Sequence, residues 1–179
     1  MLNSAQKLLL NELENGFPGI SKAWGKFLCE ASSHCLNLKN HASGAEMSVK
    51  GDSETVFQVF WNNQITEQTR KAWNDTQELT EYGATGIAVL LIREMTEFTV
   101  IRRAVKGEGV DYWLGYKTDK KPFQDVARLE ISGILEGNES KIKARLKHKK
   151  KQTYPTDDDC PAFVVIVEFS KPVSYLERK

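Results

Sequence analysis

The sequence predicts a mixed α/β (α+β) domain whose core, from about residue 80 to residue 169, runs helix, three strands, helix, strand. Three observations carry that expectation. Residues 98–104, 110–116 and 126–135 are successive runs rich in β-branched and aromatic side chains, separated by a glycine turn and a polar connection. A proline-free stretch with small and apolar residues at helical spacing precedes them, and a lysine-rich segment that Asn138 can cap follows. Residues 162–169 then offer an unbroken apolar centre, Phe-Val-Val-Ile-Val, of the kind buried on both faces of a sheet.

Taken in order, residues 4–15 carry leucines at 8, 9, 10 and 13 and predict a short amphipathic helix ending near Gly16. Pro18 suits the first turn of a second helix through Trp24 and Phe27 to about Leu36. Residues 37–44 read as a polar loop, and residues 46–50 and 55–61 as a hairpin turned at Gly51-Asp52-Ser53. Residues 1–62 therefore form an N-terminal extension of two helices and a β-hairpin, beside a core of residues 63–179. From Asn63 to Met95 the pattern is helical, either as one helix or as two with a break near Asp75. Gly83 and Gly86 cost about 1 kcal/mol each in a helix interior, so they predict close packing of residues 80–95 on a sheet.

Composition narrows the function classes. The chain has 179 residues, 40% hydrophobic and 27% charged, with a net charge of +1. No apolar run reaches the roughly 18 residues of a membrane span. The N-terminus lacks the basic and apolar regions of a signal peptide. Cys29, Cys35 and Cys160 have no CxxC spacing, so they predict reduced thiols in the cytoplasm rather than a disulfide framework or a structural zinc site.

The chemistry concentrates in three carboxylates. Glu81 lies near the start of the helix, Asp111 on the second strand and Glu130 on the third. If those two strands pair, Asp111 and Glu130 meet at one end of the sheet, where like charges repel unless a cation sits between them. Hard oxygen ligands of this kind suit Mg²⁺ or Mn²⁺ beside a phosphodiester. The plainer alternative pairs Glu130 with Arg128 or a helix cation and makes Asp111 a turn cap.

With its elements in this order, the chain resembles the PD-(D/E)XK nuclease superfamily, whose core is restriction-endonuclease-like, and within it the Holliday-junction-resolvase-like branch. The likeness covers about 100 residues. It rests on Glu81 followed by Gly83, Ala84 and the apolar residues 87–92, on Thr99-Val100-Ile101-Arg102-Arg103 as first strand, on Gly107-Glu108-Gly109-Val110-Asp111, and on Leu129-Glu130-Ile131-Ser132. The resemblance implies a metal-dependent DNA endonuclease, in phage defence or DNA repair, with Glu81, Asp111 and Glu130 holding the metal. It departs at Ser132, which stands where the family has a lysine that positions water and stabilises developing charge. Either another cation serves, with Arg128 nearest and Lys141 and Lys143 further off, or the chain has stopped cutting and works as a subunit that binds nucleic acid or a protein.

Residues 141–151 read Lys-Ile-Lys-Ala-Arg-Leu-Lys-His-Lys-Lys-Lys, with only Ile142 and Leu146 apolar. They are either a solvated helix face or a surface on which Lys141, Lys143, Lys147 and Lys150 contact DNA phosphates. The extension offers a surface for a protein partner or a second copy of the chain. His34, His41 and His148 read as incidental surface or loop residues, Asp157-Asp158-Asp159 as a solvated loop, and the four tryptophans as core or interface anchors.

Overall fold

A computed structural model describes residues 6–118, 123–153 and 160–179; the Asp157-Asp158-Asp159 run and most of the polar connection after Lys117 lie outside the described residues. The chain forms one eight-stranded mixed sheet with helices on both faces. In sequence the elements are β1 (Gln6–Leu9), a 3₁₀ segment (Leu10–Asn15), α1 (Lys22–Leu38), β2 (Ala45–Gly51) and β3 (Thr55–Phe60). There follow α2 (Glu67–Ala72), α3 (Thr76–Met95), β4 (Phe98–Arg103), β5 (Tyr112–Tyr116), β6 (Ala127–Ile134), α4 (Glu139–Gln152), β7 (Ala162–Glu168) and β8 (Val173–Arg178). Strand order across the sheet is β1-β3-β2-β8-β7-β6-β5-β4.

From α3 to β7 the element order is the expected helix, three strands, helix, strand, and β7 lies inside the sheet between β6 and β8 with every side chain buried. The hairpin β2–β3 also forms. Its place is less expected: β2 runs parallel to β8, so residues 45–60 prolong the same sheet. The last strand, β8, is an element that the sequence does not announce. Its centre, Ser174, Tyr175 and Leu176, is buried without alternation between half-buried Val173 and Glu177, a run too short and too polar to stand out.

Two N-terminal expectations are corrected. Residues 6–9 are a strand, parallel to β3, and only residues 10–15 turn helically. The Leu8, Leu10 and Leu13 spacing that suggested a helix instead sends all three side chains into the core from a strand and a tight turn. Pro18 lies in the turn between Phe17 and Ile20, and α1 begins at Lys22, capped by the Ser21 hydroxyl, which accepts the Trp24 N–H at 3.2 Å.

The helical stretch is broken at Asp75, whose carboxylate caps α3 by accepting the N–H groups of Gln77 and Glu78. Gly83 and Gly86 do mark a close approach, but to α1 and not to the sheet. A Cβ at Gly83 would meet Cys35 Sγ at 2.6 Å and the Ala31 carbonyl at 3.1 Å; one at Gly86 would meet Ser32 Oγ at 2.2 Å. The helix–sheet approach is made by Gly133 on β6, where a Cβ would lie 2.4 Å from the Thr80 carbonyl. α1 and α3 cover one face over the main core, while α4 lies on the other face over β6 and β7 through Ile142 and Leu146. Among the described residues no helix is long and apolar enough to cross a membrane.

Cys29 and Cys35 are buried free thiols, and burial pushes Cys29 up to about 12, which leaves it inert. His34 is buried in α1 with Nδ1 unpartnered, a correction to its reading as a surface residue.

Candidate active site

β5 and β6 part company in the middle of the sheet. Their pairing runs from Leu114↔Ala127 to Tyr112↔Leu129, while β6 continues along β7 to Ile134. Asp111 stands at the parting point, one residue before β5. Its N–H donates to the Leu129 carbonyl at 3.0 Å and its Oδ2 accepts the Ile131 N–H at 2.7 Å. The side chain thus takes over the ladder bond that β5 no longer supplies. Glu130 projects toward α4 from the same point, close enough to Asp111 for each acid to perturb the other's ionisation.

Burial dominates their electrostatics. Glu130 is 5% exposed. Loss of solvent, reinforced by the neighbouring Asp111, pushes it up to about 7 against the opposing pull of Lys149. Burial also raises Asp111, opposed by the Ile131 N–H and by Lys149 and Arg103. In water both groups would be ionised at neutral pH. Here one proton between them is the cheaper arrangement.

The cation beside this pair comes from α4. Lys149 Nζ donates to Glu130 Oε1 at 2.5 Å, and Arg145 Nη1 donates to Ser132 Oγ at 2.8 Å. Glu130 and Ser132 are two apart on the strand, and Arg145 and Lys149 four apart on the helix, so the two ladders meet rung for rung. Ser132, in the position lacking its own charge, carries a guanidinium from the next element. The plainer alternative for the two acids is also present, since Glu130 pairs with a helix cation and Asp111 caps a backbone group.

Glu81 is exposed on α3, where its Oε1 accepts Gln77 Nε2 at 3.2 Å. It lines the same cleft as Asp111, about 670 Å³ in volume, which runs along the uncovered part of β6 between α3 and α4. Among the described residues no three His, Cys, Asp or Glu side chains come together as a metal-binding group. Asp111 and Glu130 are the two that meet. Their hard oxygens suit a divalent cation that keeps most of its own waters, and such an ion would relieve the like-charge burial of the pair.

Arg128 shares the face of Glu130, yet it is 1% exposed and spends its guanidinium on backbone: Nη2 and Nε donate to the Cys160 carbonyl at 2.7 and 3.2 Å. It fastens the segment before β7 and does not line the cleft. The basic helix divides along its length. Ile142 and Leu146 hold α4 to the sheet, which turns Lys141, Arg145 and Lys149 into the cleft. Lys143 pairs with Glu139 at 2.9 Å, Lys150 pairs with Glu177, and Lys147 is exposed. Of the four lysines named from the sequence, only Lys141 lines the cleft that Asp111 lines, and Arg145 and Lys149 were missed. The signal lay in their i, i+4 spacing beside the Ile142–Leu146 stripe, but the sequence left open which flank of that stripe meets β6.

A second hollow of about 700 Å³ opens on the other side of the pair, beneath the loop of residues 104–110. Arg103, Asp111 and Lys149 line both hollows, so Asp111 sits on the sill between two open spaces, with Glu130 on the side of the second. No protein-family model, curated protein or solved structure matches this chain.

Proposed function

We propose that the chain is a Mg²⁺- or Mn²⁺-dependent DNA endonuclease with a restriction-endonuclease-like core of the PD-(D/E)XK type, in which α4 supplies the charge that Ser132 lacks. The observation that carries this reading is the Asp111–Glu130 contact at the point where β5 and β6 separate, with Lys149 on Glu130. The order α3-β4-β5-β6-α4-β7 supports it. So does the pair of hollows, which lets a strand pass across the carboxylates without an end.

Asp111 and Glu130 would hold the metal, with Glu81 reaching it from across the cleft through water. When bound, such an ion polarises a phosphoryl oxygen and acidifies its water. The protein's own groups do the rest. Arg145 and Lys149 place two positive charges beside the pair, where negative charge grows on a phosphodiester under attack. A guanidinium is a poor proton acceptor, so Arg145 stabilises charge and does not act as a base. Glu130, raised toward neutrality by burial, would give up its proton on taking up the ion, so metal binding should release protons near neutral pH.

One observation favours a second reading, a subunit of the same fold that binds nucleic acid or a protein without cutting. Lys149 already neutralises Glu130 at 2.5 Å, and among the described residues no third acid joins the pair. Incubation of supercoiled plasmid and of branched duplex with Mg²⁺, Mn²⁺ or EDTA decides between them. Metal-dependent nicking that disappears in Asp111→Asn and Glu130→Gln supports the endonuclease; salt-sensitive binding without nicking supports the subunit.

A further inference from the structure

Two adjacent arginines end β4, and they are in opposite states. Arg102 is fully engaged: its guanidinium donates to Glu108 at 3.0 Å and to Asp125 at 2.8 Å. Arg103 is exposed and, among the described residues, makes no hydrogen bond or ion pair. Its guanidinium carbon lies instead 5.3 Å from the ring centre of Trp24. Five N–H donors are therefore held in position by an aromatic face and left without acceptors. They stand beside Asp111, in the wall common to both hollows.

Trp24 is itself fixed. Its ring stacks on Phe27 at 5.0 Å and 14°, meets Tyr82 edge-on at 5.4 Å, and donates Nε1–H to the Tyr112 hydroxyl at 3.3 Å. Tyr82 and Tyr112 line the cleft, so α1, which belongs to the N-terminal residues, reaches the site through this cluster.

Resting on the endonuclease reading, we infer that Arg103, braced by Trp24, is the anchor for a backbone phosphate next to the scissile one. A carboxylate-lined sill repels a polyanion, and a chain crossing it needs a donor that is already oriented and not already spent. Arg103 alone of the cleft cations meets both conditions, because Lys141 donates to the Glu136 carbonyl, Arg145 to Ser132 and Lys149 to Glu130. A planar fork stacked on a ring suits two phosphate oxygens at once, which a lysine cannot reproduce. Arg103 is thus a substrate-binding residue, and Trp24 a positioning residue that acts through it.

The test is binding of a fluorescein-labelled duplex, in EDTA so that nothing is cut, across a salt series, with melting temperatures recorded for every variant. Arg103→Ala is expected to weaken binding about tenfold or more and to reduce the log–log salt slope by about 0.9, one phosphate's worth, with an unchanged melting temperature. Arg103→Lys should restore the slope but not the affinity. Trp24→Phe, which keeps an aromatic face, should bind close to wild type, whereas Trp24→Leu should keep the slope and lose about threefold in affinity. Wild-type affinity and slope in Arg103→Ala, or full affinity in Arg103→Lys, would overturn the inference while leaving the endonuclease reading to the plasmid assay. Failure of wild type to bind the duplex overturns both; binding and slope loss without plasmid nicking retains the anchor and removes the catalysis.

Discussion

Two glutamates of this protein each hold a basic side chain within hydrogen-bond distance and end in opposite states. Glu108, near the rim of the sheet, receives Arg102, the Val105 N–H and the Trp113 indole, and the Arg102 guanidinium draws it down to about 2. Glu130, in the cleft, receives Lys149, and burial pushes it up to about 7. The cation is not what separates them. Glu108 keeps its solvent and has three donors for one charge; Glu130 has lost its solvent and shares one ammonium with a second acid. Glu108 is therefore a finished structure, while Glu130 and Asp111 form an arrangement short of positive charge.

Mutations that touch the unbalanced site should have the largest effects. Asp111→Asn and Glu130→Gln are each expected to lower metal-dependent cleavage by at least about 10³-fold, and Lys149→Met by about 10²-fold or more. Initial rates of plasmid nicking at saturating Mn²⁺ check this. A Lys149→Met protein with full activity would show that α4 does not supply the missing charge.

The next effect is on stability. A group raised from 4.5 to about 7 in the folded state holds its proton more tightly there than in the unfolded chain. Its contribution is fully present below pH 4.5 and lost as pH climbs to about 7, on the order of 3 kcal/mol at most. Chemical denaturation between pH 4.5 and 8 should show wild type losing stability with rising pH and Glu130→Gln losing much less. Added Mn²⁺ should recover the wild type at pH 8 and leave Asp111→Asn unmoved. A flat wild-type profile would remove the buried-acid argument.

Packing changes come third. Gly133→Ala should cost about 2–3 kcal/mol because its Cβ meets the Thr80 backbone at 2.4 Å. Gly83→Ala should cost about 1–2 kcal/mol, the clash with Cys35 exceeding the gain in helix propensity. Urea unfolding measures both, and stabilisation by either would contradict the close approach. Smallest is the finished ion pair: Glu108→Gln should move the melting temperature by no more than about 2 °C and leave nicking unchanged. A large loss of activity there would mean that the rim network reaches the site.

The contrast between the two glutamates also marks what could be read from the sequence. Strands announced themselves where apolar runs were long, as in β6 and β7, and the cap of α4 was plain in Asn138, whereas Asp75 showed only as one of two possibilities and its capping of α3 comes from the structure. Leu8, Leu10 and Leu13 fit a helix or a strand followed by a turn equally well, and only pairing with β3 decides between them. Gly83 and Gly86 signalled closeness without naming α1 as the partner, because small residues fit a helix or a sheet alike. In the site, strand alternation led to the expectation that Asp111 and Glu130 lie together at one end of two paired strands; the structure has Asp111 one residue before β5, held by the Leu129 and Ile131 backbone. The cations did not follow from alternation: Arg128 was chosen for sharing a face with Glu130, but the tertiary contact with the Cys160 carbonyl claims it. Arg145 and Lys149 depend on how α4 is rotated, and two apolar residues are too few to fix that rotation in advance.

The parallel junction of β2 with β8 has a consequence for how the chain assembles. β8 is the last of the eight strands in sequence, and it alone joins β1, β3 and β2 to the rest of the sheet. Ser48 cannot find Val173 until nearly all the intervening chain has been made, so the sheet closes late and by a long-range contact, the kind of event that slows folding. Before closure both β2 and β7, apolar up to its last residue, Glu168, present open edges, which are templates for pairing with another chain. Biogenesis of this protein should therefore be most exposed to aggregation in the interval between the synthesis of β7 and the docking of β8, and its demand for chaperones should be set by the six residues of β8.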